Sequence, residues 1–347
     1  MTQQTQTHSS PDSAVAHDGP VVSIRNLTVN FDTVEGRIRA IENVSFDILP
    51  RRTLGVVGES GCGKSVTARA IMRIEDTRIC SLDGNILLHG ASEATDLVRL
   101  KAQSRRLRQI RGGEIGLIFQ EPMTSFSPVH TIGNQISEAV RLHYSVGKAE
   151  ATQRSIEQLR SVGMPHPEHI MEHYAWELSG GLRQRAMIAM ALVSGPRLLI
   201  ADEPTTALDV TTQAQVLRLL AQLQDRNGMA LMLITHDLGV VSESADDVVI
   251  MYLGSIVERG PVKSIFHEPM HPYTQLLLES LPSITRRRSG PLKTIRGTVP
   301  RAQNRPTGCP FHTRCPSAIK DVCDQVVPRE SRVSADHVVN CHLHEAS

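Results

Sequence analysis

The sequence is poor in aromatic residues. One Trp, four Tyr and six Phe in 347 residues are too few for the stacking platform that single-stranded nucleic acid requires. An excess of either charge is also missing. Lys+Arg number 37 and Asp+Glu 36, a net charge of +1, which argues against a histone-like or polybasic nucleic-acid binder. No apolar run reaches the roughly 18 residues that a membrane span needs; the best stretch, Ala186 to Ala201, is broken by Ser194, Gly195, Pro196 and Arg197. The first twenty residues hold no Lys, no Arg and no apolar block, so 1–20 is expected to be a disordered tail and not a signal peptide. The expectation is a soluble, cytosolic protein, long enough for one large domain or two modest ones.

What is present is a set of short aliphatic runs, each leading to a polar residue. Leu54 to Val57 runs into Gly58, Ile115 to Phe119 into Gln120, Leu198 to Ala201 into Asp202 and Glu203, and Met229 to Ile234 through Thr235 to His236. Runs of this kind suit strands covered on both faces, as in a parallel sheet, and ligands bind beyond the carboxyl ends of such strands. Alternation in the stretch from Val21 to Ile48 predicts an antiparallel β layer. Helical spacing over Ile136 to Tyr144 and Ala149 to Val162 predicts an inserted helical subdomain at about 121–178.

Gly58-Glu59-Ser60-Gly61-Cys62-Gly63-Lys64-Ser65 matches the phosphate-loop pattern. Its glycines let the backbone wrap until successive N–H groups face phosphate oxygens, at the positive end of the helix that follows. Lys64 brings a mobile charge to the β and γ phosphates, and the Ser65 hydroxyl is suited to ligate Mg²⁺. Cys62 reads as a small filler whose backbone matters more than its sulfur. Adjacent strand residues face opposite ways, so Asp202 and Glu203 can divide the work. Asp202 is placed to hold Mg²⁺, and Glu203 to orient the water that attacks the γ phosphate.

A second glycine turn, Leu178-Ser179-Gly180-Gly181-Leu182-Arg183-Gln184-Arg185, opens a helix-like run. Taken with the phosphate loop, Gln120, Asp202-Glu203 and Thr235-His236-Asp237, it resembles the signature of an ATP-binding cassette (ABC) ATPase. Lys64 and Ser179 are 115 residues apart and Ser179 and Asp202 are 23 apart, spacings similar to those of a transporter cassette. Leu182 stands where the family usually has Gln. Glu268-Pro269-Met270-His271-Pro272-Tyr273-Thr274, Gly297-Thr298-Val299-Pro300 and Gly308-Cys309-Pro310-Phe311 resemble the C-terminal region of oligopeptide/dipeptide importer ATPases.

The resemblance implies a P-loop (RecA-like) α/β fold. A parallel sheet core would carry an antiparallel β subdomain, the helical insertion and a small Cys-containing C-terminal extension, divided as an ATPase domain at 21–260 and an extension at 261–347. It implies ATP hydrolysis coupled to peptide import, with nickel, glutathione, opines or oligosaccharides as other cargoes of such machinery. Two cassettes, a pair of identical or paralogous chains, would meet head to tail. Ser179, Gly180 and Gly181 would then serve the partner's ATP, with Asp209 at the seam. Gln120 would contact Mg²⁺ or its water, and His236 would hold the γ phosphate. Phe31 is the candidate for stacking on adenine, although a core position would suit it equally. The implied partners are two membrane permeases and an external substrate-binding protein, at the cytoplasmic face of the inner membrane, with no nucleic acid. A soluble ABC ATPase acting on DNA or ribosomes is the rival, disfavoured by the neutral charge and the short motif spacing.

Past Gly260 the chain is Pro-rich, and 282–308 holds Arg286, Arg287, Arg288, Lys293, Arg296, Arg301 and Arg305 with no acidic residue. A solvated linker or an attraction to anionic membrane fits this composition. Cys309, Cys315, Cys323 and Cys341 suggest a metal staple in a segment with little apolar core. Their spacing matches neither the paired zinc pattern nor the common ferredoxin runs. Zinc and reduced thiols stay open on spacing, while the importer resemblance implies a [4Fe–4S] cluster. His312, His337, His342 and His344 read as surface or packing residues.

Overall fold

The computed structural model describes residues 19–91, 93–280 and 295–345. The expected tail therefore lies, over 1–18, outside the described residues, as do Arg286, Arg287, Arg288 and Lys293. Two long strands, β1 (Val22–Thr33) and β2 (Gly36–Ile48), form a hairpin. Next, β3 (Thr53–Val57) leads through the phosphate loop into α1 (Lys64–Met72). With β4 (Cys80–His89) and β5 (Ala94–Asp96) the hairpin completes a four-stranded antiparallel sheet in the order β2-β1-β4-β5. This is the N-terminal β layer that the alternation predicts.

Helix α2 (Arg105–Gly113) precedes β6 (Ile115–Ile118). The predicted insertion then appears as α3 (Pro122–Ser125), α4 (Ile132–His143), α5 (Lys148–Ser161) and α6 (Pro167–Ile170). Thr131 starts α4 by accepting the Asn134 N–H with its side chain, a satisfied N-cap. Helix α7 (Gly180–Leu192) returns the chain to the main sheet. There β7 (Leu198–Asp202), α8 (Val210–Asn227), β8 (Ala230–Thr235), α9 (Leu238–Ser244) and β9 (Asp247–Tyr252) follow in alternation.

Strands β6, β7, β8, β3 and β9 are parallel neighbours. Their aliphatic runs are explained by burial on both faces. Leu198 and Ile200 enter the core beneath the antiparallel sheet, whereas Leu199 and Ala201 enter the core beneath the helical subdomain. This two-period alternation with both sides covered is why the strands carry no polar face.

The extension is not a separate unit. Strand β10 (Ser255–Pro261) pairs antiparallel with β9, and the helices α10 (Val262–His267) and α11 (Pro272–Glu279) follow it. Two short strands, β11 (Glu330–Arg332) and β12 (Val338–Asn340), join the other side of β10 and extend the main sheet to eight strands, β11-β12-β10-β9-β3-β8-β7-β6. The boundary expected at Gly260 thus falls inside a strand. Glu258 of β10, wholly buried, accepts the Met270 and His271 N–H groups at 2.8 and 3.0 Å, and His337 Nε2 lies 2.7 Å from it. A buried carboxylate is tolerated when so fully partnered.

Three of the few aromatic rings meet where the extension packs on β9. Tyr252, Tyr273 and Phe311 are wholly buried, with ring centroids 4.8 to 5.2 Å apart in edge and tilted arrangements. Arg305, expected in a solvated or membrane-facing linker, is instead an anchor. It donates to the Leu253 carbonyl and Ser255 Oγ and pairs with Glu42 at 2.7 Å. Phe311→Ala is expected to destabilise the chain by about 3–5 kcal/mol, in one cooperative transition measured by denaturant unfolding. A separate early transition for the extension would contradict the continuous sheet.

Candidate functional site

Between Val57 and Lys64 the backbone has no regular structure, yet it is tightly constrained. A Cβ at Gly58 would lie 2.2 Å from the Met251 carbonyl oxygen and 2.6 Å from Cys62 Sγ. Gly63, at φ 101°, N-caps α1, and a Cβ there would meet Ile41 Cδ1 at 2.5 Å. Only glycine fits at either point. Cys62 is buried and its carbonyl accepts the Gly254 N–H at 2.9 Å, in keeping with a filler whose backbone does the holding. Lys64 Nζ donates to the Gly58 and Glu59 carbonyls at 2.7 and 3.2 Å.

Ser60, Gly61, Gly63, Lys64 and Ser65 line one cavity, and Gln120 and Glu203 reach it from the ends of β6 and β7. Ser65 Oγ donates to Asp202 Oδ1 at 2.9 Å. This hydroxyl and carboxylate, side by side, suit a divalent cation. Glu203 sits at φ 46°, a backbone conformation that non-glycine residues seldom adopt outside functional sites. Its carboxylate accepts Gln120 Nε2 at 3.1 Å and Thr206 Oγ1 at 2.8 Å, and His236 Nδ1 lies 3.3 Å away.

Burial pushes the Asp202 carboxyl up, opposed by the Ser65 hydrogen bond and reinforced by the Glu203 charge. At Glu203 burial again acts upward, but the Thr206 hydrogen bond, His236 and Lys64 outweigh it and hold the carboxyl below its ordinary value. The two neighbours are driven apart in acidity, as expected of carboxylates with different tasks.

Ser179, Gly180, Gly181 and Asp209 do not join this cavity. They line a second concavity on the same chain, and no residue lines both. Ser179 caps α7 by accepting the Leu182 N–H, and Asp209 caps α8 by accepting the Thr212 N–H and hydroxyl.

Of the two positions left open for Phe31, the structure shows the packed one. Phe31 pairs with Ile38 and Cys80 across the antiparallel sheet, packs against the main core and does not line the cavity. Arg39 and Ala40 of β2, Leu253, and Ala302 of the extension stand there instead. Sequence reasoning missed all four, and also Thr206, which lies three residues after Glu203 with a side-chain hydroxyl as its one signal.

The four C-terminal cysteines lie within electrostatic reach of one another. Burial pushes the thiols of Cys309 and Cys341 up to about 12 and about 11, and that of Cys315 upward. Backbone N–H groups of Phe311, Ser317 and Leu343 reach the sulfurs of Cys309, Cys315 and Cys341, and the Ile319 N–H reaches Cys323 Sγ at 3.3 Å. Among the described residues no group of three or more His, Cys, Asp or Glu side chains is disposed to hold a metal ion. The four histidines pack as expected, His337 on Glu258 and His312, His342 and His344 on backbone carbonyls.

The family model for ABC transporters matches residues 41–206, and that for the oligopeptide/dipeptide transporter C-terminal region matches 257–323. A probable peptide ABC transporter ATP-binding protein of Sinorhizobium fredii is 47% identical over 92% of this chain and 94% of its own length. The chain belongs to the oligopeptide/dipeptide family of ABC transporter ATP-binding proteins. A putative peptide import ATP-binding protein of Brucella melitensis is 46% identical over 93% of the chain and 96% of its own length. The dimeric structure of a bacterial ABC transporter cassette superposes with a TM-score of 0.60 at 25% identity, covering 70% of this chain and 98% of that one. A post-hydrolysis dimer bound to ADP and Pi matches equally well. The cassette fold, with its mixed core sheet and antiparallel β subdomain, and ATP hydrolysis follow for this ABC ATPase. Among its described residues no helix is long and apolar enough to cross a membrane.

Proposed function

We propose that this ABC ATPase powers peptide import, working as one of two cassettes, identical or paralogous, beneath two membrane permeases fed by an external substrate-binding protein. It would then be peripheral to the cytoplasmic face of the inner membrane. The observation that carries the reading is the single cavity in which Lys64, Ser65, Gln120 and Glu203 meet, on a chain similar along nearly its whole length to proteins named for peptide import.

In this reading the N–H groups of 58–65 wrap the phosphates, and Lys64 turns from the loop carbonyls to the β and γ oxygens. Ser65, Asp202 and Gln120 would hold Mg²⁺, which would offset the charge of the phosphates. Glu203, kept ionised, orients the attacking water and takes up its proton, while His236 steadies the γ phosphate. Ser179, Gly180 and Gly181 complete the partner's site, with Asp209 at the seam. Support for this division comes from the two concavities, which share no lining residue. Closure would assemble the site and opening would dismantle it, a cycle able to drive the permeases between two access states.

For Cys309, Cys315, Cys323 and Cys341 we propose a [4Fe–4S] cluster. Four thiols within electrostatic reach of one another, each reached by a backbone N–H, suit a cluster that is held by thiolates and tuned by hydrogen bonds. When bound, the cluster would supply a four-point staple for a segment with little core of its own.

Glu203→Gln is expected to bind ATP normally while hydrolysis falls about 10²–10⁴-fold, measured by nucleotide binding and phosphate release. Near-normal turnover would remove Glu203 from its role. Protein purified without oxygen is expected to be brown and to lose that colour in Cys315→Ser. Colourless protein carrying stoichiometric zinc would overturn the cluster.

A further inference from the structure

Among the described residues, two side chains of the C-terminal extension are hydrogen-bonded to the phosphate loop, both at Glu59. The Glu59 N–H donates to the Tyr273 hydroxyl at 3.0 Å. Its carboxylate is gripped on both oxygens by Arg314, at 2.7 Å from Nη1 and 3.2 Å from Nη2. Arg314 is itself locked in place. Nε donates to the Arg296 carbonyl, Nη2 also to the Gly297 carbonyl, and Nη1 also to the Tyr252 hydroxyl, while the guanidinium lies over the Tyr252 ring. Its side chain is only 5% exposed. A planar fork that spends every donor in this way cannot be replaced by the point charge of a lysine.

These contacts matter because, among the described residues, the loop's other hydrogen bonds run within the loop, to Gly254 or to Thr67 of the helix that follows. Besides them, Glu59 and its neighbours are tied by the Cys62 N–H to the Glu59 carbonyl, by the Gly254 N–H to the Cys62 carbonyl, and by Lys64 Nζ on the Gly58 and Glu59 carbonyls. The ammonium of Lys64 is the group that phosphates would draw away. Once it leaves, Tyr273 and Arg314 remain to hold Glu59. Ala302, at the cavity wall, brings the same extension to the nucleotide from another side.

We infer that Arg314 and Tyr273 are positioning residues for ATP, acting through Glu59 to fix the curvature of the phosphate loop, so that the extension is a working part of the nucleotide site. Neither residue touches the cavity itself. This inference rests on the proposed ATP site. The loop grips ground state and transition state alike, so loosening it raises KM and leaves kcat in place.

The test is MgATP hydrolysis by the full chain assembled with its transporter partners, with unfolding midpoints recorded alongside. Arg314→Met and Glu59→Gln are each expected to raise the KM for ATP about tenfold, with kcat within about twofold of the unmodified protein. The double variant is expected to be no worse than Arg314→Met alone, because both substitutions break the same contact. Arg314→Lys is expected to recover little. An unchanged KM in Arg314→Met overturns the inference. So does a double variant whose losses add, or a fall in kcat that follows the unfolding midpoint, since each marks a structural role alone. Failure of the unmodified assembly to hydrolyse ATP would instead contradict the ATPase reading.

Discussion

The structure depends on a loop that closes only where side chains are missing. The carbonyl of Met251 stands 2.2 Å from where a Cβ of Gly58 would be, and Ile41 crowds Gly63 in the same way. Those two approaches set the curve that turns backbone N–H groups inward and aims α1 at the same point. Everything else in the site is arranged around that curve. Ser65 reaches Asp202 across it, and Glu203, in a strained conformation, meets Gln120 and His236 at its mouth. A chain that spends backbone strain here needs rigid surroundings, and the five parallel strands buried on both faces provide them.

Much of this could be read from residue types. Strands β3, β6, β7 and β8 announce themselves because burial on both faces leaves unbroken aliphatic runs ending in Gly58, Gln120, Asp202 and His236. The phosphate loop is equally legible, because Gly58 and Gly63 are demanded by contacts that no other residue tolerates. Phe31 is the position that residue type left undecided. The β1–β2 pairing has register shifts around Leu27, Val29 and Asn30, and each one-residue slip exchanges the faces of a strand. Residue type therefore could not say whether Phe31 faced core or cavity, nor that Arg39, on the neighbouring strand, would stand at the cavity.

The extension was the least legible part, for a different reason. Strand β12 has three residues and pairs with β10 roughly eighty positions earlier in the chain, a contact with no local signal. Pro-rich composition suggested a linker, yet Arg305 is drawn to Glu42 and to the backbone after β9. The motifs around Tyr273 and Arg314 marked the family but gave no hint that their side chains converge on Glu59. Long-range placement of polar groups is fixed by tertiary packing, which periodicity does not encode.

The central claim is that one nucleotide is held by the phosphate loop of one cassette and the signature turn of another. Its most direct test compares MgATP binding to the purified Ser179→Arg chain with hydrolysis by the transporter assembled from it. The account predicts unchanged binding at the chain's own loop and turnover reduced about tenfold or more. Loss of binding in the isolated Ser179→Arg chain, with its fold intact, would show that loop and signature serve the same nucleotide within one chain and would contradict the account.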